Sequence, residues 1–131
     1  MDTLTQRTLT RFLKSVVALE KALALKELPE HAERDSVLLR FELTAELMPK
    51  MLQRVLSERG ADVALPKDIV RATCSAELID EAVTETLLSV IDDRNRMVHD
   101  YSEEFAGELL ARVRSEYIAA FRVLQERLPM L

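Results

Sequence analysis

The stretch Glu103–Leu128 reads EEFAGELLARVRSEYIAAFRVLQERL, and its apolar residues fall at Phe105, Leu109, Val113, Tyr117, Ala120, Leu124 and Leu128. Steps of three and four place all seven on one side of a helix, and Pro129 stops the pattern. The helix is predicted to begin near Ser102 or Glu103. Asp100, three residues before Glu103, stands in a capping-box-like position, and Glu103 and Glu104 suit a helix N-terminus. A single face this regular over seven turns is the seam of a bundle, so the rest of the chain is read for helices that share it.

Working back toward the N-terminus, Leu9, Phe12, Leu13, Val16, Leu19 and Leu23 mark a first amphipathic helix. The pattern fades over 26–31, where Pro29 disfavours helix at the residue before it. A second helix is predicted from Asp35 or Ser36, with Leu38, Phe41, Ala45, Met48, Leu52 and Val55 as its buried row. Pro49 lies inside it and predicts a kink rather than two helices. Gly60 reads as its stop, and Pro66-Lys67-Asp68 opens a short helix to about Cys74. A fourth segment carries Ile79, Val83, Leu87 and Val90, and the same step reaches Arg94, Met97 and Tyr101. Arg94 on an apolar row is a local conflict, because a buried guanidinium without a partner is costly. The predicted fold is all-α: a four-helix up-and-down antiparallel bundle with one short extra helix, forming one domain over 1–131.

Composition agrees. The chain has 131 residues, 48% hydrophobic and 31% charged, with only two Gly and four Pro, which suits long helices joined by few turns. A formal charge of -5 excludes coating of duplex DNA by bulk electrostatics and leaves room for a local basic site. The lone Cys74 permits no intrachain disulfide and no zinc cluster. The start Met1-Asp2-Thr3-Leu4 lacks the basic and apolar regions of a signal peptide, and no stretch approaches a membrane span. The expected location is the cytoplasm.

The residues with chemical potential cluster in Asp92-Asp93-Arg94-Asn95-Arg96-Met97-Val98-His99-Asp100-Tyr101. Either the fourth helix runs through to Tyr101, with Asn95 and His99 one turn apart, or it stops near Val98 and His99 faces the joint; both gather Arg, Asn, His and Tyr in a small volume. His99 can move a proton near neutral pH, and Arg94 offers a planar fork of donors to phosphate oxygens. Together they could serve phosphodiester cleavage without a metal. The bland alternative has Arg94 and His99 capping carbonyls or pairing with Asp92, Asp93 or Asp100. Glu42 and Glu46 could hold Arg94 from across the bundle, although a solvated carboxylate face is the simpler reading. His31, in a surface connection beside Glu30 and Glu33, receives no role. No Gly-rich phosphate loop or nucleophile elbow is present, and neither His has Glu three residues before it as a di-iron bundle requires. No cofactor and no metal are expected.

Arg94-Asn95-x-x-x-His99-x-Tyr101 resembles the Arg-x4-His-x-Tyr motif of the HEPN superfamily, and Arg40-Phe41-Glu42-Leu43-Thr44-Ala45-Glu46-Leu47 resembles the second-helix signature of its nucleotidyltransferase substrate-binding branch. The similarity extends through Gly60, Pro66-Lys67-Asp68-Ile69-Val70-Arg71, Leu78-Ile79-Asp80 and Tyr101-Ser102-Glu103-Glu104. One departure is the tryptophan common after the second-helix Glu-Leu pair, replaced here by Met48-Pro49-Lys50. The resemblance implies a homodimer whose partner is a minimal nucleotidyltransferase encoded nearby, in a two-gene module of the toxin-antitoxin kind. It also implies an alternative: a metal-independent endoribonuclease in which Arg94 and His99 of two protomers form one composite site, supported by Asn95, with RNA as substrate. Under that alternative, AMP transfer to Tyr101 would silence the enzyme. Arg94, Asn95, His99 and Tyr101 are accordingly the expected substrate-binding residues.

Overall fold

In the computed structural model, which describes residues 1–26 and 28–131, the helices follow the sequence pattern closely. Helix α1 spans Thr3–Leu23, and the Asp2 side chain caps it by accepting the Thr5 N–H at 2.8 Å. A 3-10 turn at Pro29–His31 leads into α2, Ala32–Glu58. Of the connection read at 26–31, Glu27 and the side chain of Glu30 lie outside the described residues; His31 is exposed. Helix α2 begins three residues before the predicted Asp35. Glu33 and Asp35 supply the acids of its first turn, and the Glu33 carboxylate accepts the Leu28 N–H at 2.8 Å. A polar first turn carries no apolar period, which is why periodicity placed the start too late.

Helix α2 runs unbroken past Pro49 and ends in a Schellman cap, with Gly60 at φ +87°, its N–H on the Ser57 carbonyl, and the Ala61 N–H on that of Leu56. Helix α3 covers Pro66–Ser75 and closes the same way with Glu77, a non-glycine residue at φ +60°, in the left-handed position. Helix α4 covers Glu81–His99 with Asp80 as its cap. The last helix, α5, runs from Glu103–Arg112 through a wide π turn at Val113–Tyr117 into Ile118–Arg127. Its N-cap is Ser102, whose hydroxyl accepts the Phe105 N–H at 3.1 Å. Asp100 does not form the expected capping box; it ends α4 and pairs with Arg96 at 3.4 Å.

The four long helices pack around one core, α1 against α2 and α5, α4 against α2 and α5, with α3 laid on α2 and α4. All seven row residues of α5 are buried, as are all six of α2. At the centre, Phe41 of α2 stacks on Tyr117 with ring centroids 5.6 Å apart, and Phe121 meets Phe41 at 6.3 Å and Phe12 of α1 at 6.5 Å. On α4, Leu87 and Val90 are fully buried while Tyr101, beyond the helix end, is 52% exposed.

Candidate functional site

Helix α4 ends at His99, so Arg94, Asn95 and His99 all lie on its last turns. Arg94 is half-buried, as its place on the inner row requires. Its Nε is fully enclosed and has no hydrogen-bond partner. The acids that the bland reading would pair with it are all engaged elsewhere. Asp92 holds Lys67 at 2.6 Å, Asp93 holds Arg112 at 2.8 Å, and Asp100 holds Arg96 at 3.4 Å. Glu46 pairs with Lys50 at 3.5 Å instead of crossing to Arg94. Arg34 and Arg54 also enclose an Nε without a hydrogen bond, but the Arg34 Nε lies 3.6 Å from Asp35, and the terminal nitrogens of the two arginines reach Glu103 and Asp2. Among the described residues, Arg94 has no such carboxylate.

The Arg94 side chain instead lines a groove of about 350 Å³ between α2, the start of α3 and α4. The buried Ile69 and Ile91 line it together with Pro49 and Pro66. Asn95 and Gln53 bring amides to the rim; Gln53 donates to the Val63 carbonyl at 2.8 Å and so ties the 59–65 loop to α2. The groove thus joins a cation short of acceptors to an apolar wall, in the size range of small-ligand sites.

Tyr101 sits elsewhere. It lines a shallower hollow of about 250 Å³ with Asp35, Leu38, Glu42 and Met97. Beside it, Arg34 grips Glu103 with both terminal nitrogens, at 2.9 and 3.3 Å, fixing the start of α2 to the start of α5. Partial burial raises the Tyr101 phenol above its ordinary pKa of 10.0; Asp35, Glu103 and Glu42 push the same way and Arg34 opposes them. The phenol is therefore protonated at neutral pH. His99 is exposed and lines neither hollow. In one protomer, then, Arg94 and Asn95 line the groove, while Tyr101 lines the hollow next along α2.

Sequence reasoning missed the strongest polar constellation in the core. Asp93, 9% exposed, receives Nε and a terminal nitrogen of Arg112 at 2.8 and 3.0 Å and the hydroxyl of Tyr117. Burial, and then the Asp93 carboxylate, raise the Tyr117 phenol far above its ordinary value. The Arg112 guanidinium is likewise held charged by Asp93. A signal existed: Asp93 stands three residues after Val90, so the spacing that flags Arg94 puts its neighbour on the inner face as well. The phenol and guanidinium come from the π turn and the residue before it, a local geometry that periodicity does not reveal.

Among the described residues, no group of three or more His, Cys, Asp or Glu side chains is placed to hold a metal ion, and no helix is long and apolar enough to cross a membrane. Residues 7–130 match the family model described as nucleotidyltransferase substrate binding protein like. The chain belongs to that family. A crystal structure of a protein from Thermus thermophilus is 31% identical to this family member, with a TM-score of 0.80 over 89% of this chain and 98% of its own. A tri-AMPylated Shewanella oneidensis HEPN toxin, solved in complex with MNT antitoxin, superposes with a TM-score of 0.80 at 14% identity over 100% of both chains. A mutant of the toxin-antitoxin pair MntA-HpeT gives 0.81 at 14% identity, over 99% of this chain and 100% of that one. This family member therefore shares the fold of that HEPN toxin. No curated protein matches it in sequence.

Proposed function

We propose that this substrate-binding family member is the HEPN-type partner of a minimal nucleotidyltransferase, acting in a two-gene module of the toxin-antitoxin kind. The observation that carries the reading is the family match over residues 7–130. The shared fold supports it, since one neighbour of that fold was solved in complex with MNT antitoxin and another belongs to a toxin-antitoxin pair. The working unit is a homodimer, for which Leu39 and Leu43 on α2 and Val98 near the end of α4 are exposed apolar residues. As the acceptor of AMP, Tyr101 is accessible, but its phenol is protonated, so the transferase must supply the base. Co-expression with the adjacent nucleotidyltransferase is expected to yield a stable complex that transfers AMP from ATP to Tyr101, and Tyr101→Phe to abolish that mass gain. Failure to co-purify would refute the partner reading; continued mass gain in the variant would move the acceptor elsewhere.

One observation favours a second reading, a metal-independent endoribonuclease. Arg94 presents a guanidinium free of any described carboxylate, as a residue stabilising phosphate charge requires. His99, exposed at the end of α4, is the general acid or base of this scheme, meeting Arg94 across the dimer with Asn95 in support. RNA cleavage in EDTA by unmodified protein, lost in Arg94→Ala and in His99→Ala, is the expected result; intact RNA under those conditions leaves the partner role alone.

A further inference from the structure

The groove holds a feature that the motif residues do not account for. In a helix each carbonyl accepts the N–H four residues on, and Pro49 has none to give, so the Ala45 carbonyl lacks its regular donor. Ala45 and Pro49 both line the groove that Arg94 enters from the opposite helix. On one helix, then, stands a carbonyl without its regular donor, and on the other a guanidinium that makes no hydrogen bond or ion pair among the described residues, with Pro49, Pro66, Ile69 and Ile91 lining the same groove. Lys50 stands on the rim, held by Glu46 at 3.5 Å; since that carboxylate repels anions, the end at Arg94 is the better anion seat.

We propose that this groove binds a nucleoside monophosphate with an amine-bearing base, its phosphate on Arg94 and its base between Pro49 and Pro66, with the amine donating to the Ala45 carbonyl. A volume of about 350 Å³ suits a ligand of this size. A guanidinium fork matches a phosphate, and the apolar side chains of Pro49, Pro66, Ile69 and Ile91 in the lining suit a planar base. The inference deepens the partner reading, on which it rests, by giving the substrate-binding subunit a substrate class.

The test is a calorimetric titration of the full chain with AMP, IMP and inorganic phosphate. IMP carries a carbonyl where AMP has its amine. Saturable AMP binding, tighter than that of IMP or phosphate, is expected. Arg94→Gln should weaken it by roughly tenfold or more, the usual scale of a lost charge-assisted hydrogen bond. Pro49→Ala is the sharper variant, because it restores the N–H to Ala45 and removes a helix-breaking residue, so it should melt no lower than the wild type yet bind AMP more weakly. Absence of saturable AMP binding, equal binding of AMP and IMP, phosphate binding as tight as AMP, or unchanged affinity in Pro49→Ala would each overturn the assignment. Co-purification with the nucleotidyltransferase reads the partner role separately: an intact complex with no nucleotide in the groove defeats this inference alone.

Discussion

At the scale of single residues, the last turns of α4 divide their charges between structure and chemistry. Asp93 points inward and is satisfied by Arg112 and Tyr117, while its neighbour Arg94 keeps an enclosed donor without an acceptor. A buried, fully bonded carboxylate costs much to disturb on one side only, because the partner left behind is an uncompensated charge. Asp93→Ala is expected to destabilise the protein by about 3 kcal/mol. Tyr117→Phe, which leaves the Arg112 pair in place, should cost about 1–2 kcal/mol. Urea denaturation of both variants checks the order; equal losses would mean that the phenol, not the guanidinium, holds Asp93.

At the scale of elements, the turns and the last helix show how local geometry serves packing. Along α5, Phe105, Leu109, Val113, Tyr117 and Phe121 follow one another at steps of four residues, and all are buried. Each such step overshoots a regular helix turn by about 40°, so without correction Phe121 would leave the core. The π turn at Val113–Tyr117 takes up the excess and keeps the row facing inward. The two Schellman caps differ in the residue they use. Gly60 adopts its φ of +87° freely, whereas Glu77 is strained at +60°. Glu77→Gly is therefore expected to stabilise the protein by up to about 1 kcal/mol, and Gly60→Ala, whose added methyl would meet open space, to destabilise it by about 1 kcal/mol through backbone strain alone. Midpoints of chemical denaturation decide between these signs, and a loss on Glu77→Gly would show that its side chain does more than tolerate the turn.

At the scale of the molecule, the bundle is closed near Tyr101 by the Arg34–Glu103 clamp between α2 and α5. The bond from Arg34 and its charge hold the Glu103 carboxyl below its ordinary pKa of 4.5. A carboxyl lowered on folding contributes stability that is complete above the unfolded value and is lost as pH falls through the folded one. Arg34→Met should therefore flatten the melting temperature's fall below about pH 4.5 while Glu33 and Asp2, lowered by their own backbone bonds, preserve part of it. Parallel melting curves for variant and wild type across that range would rule out the clamp as a source of acid sensitivity. What the sequence determined by itself was the all-α bundle, the rows of α2 and α5, the stop at Gly60 and the family, because apolar period, glycine placement and motif spacing are local signals that survive without coordinates. Tertiary structure alone decided that Asp92, Asp93 and Asp100 are engaged away from Arg94, that Tyr101 and Arg94 line separate hollows, and that Pro49 stands in the same groove as that arginine. Those outcomes depend on which helix faces which and on partners as far apart in the chain as Asp93 and Arg112, and side-chain pairing across a bundle has no signature in sequence spacing.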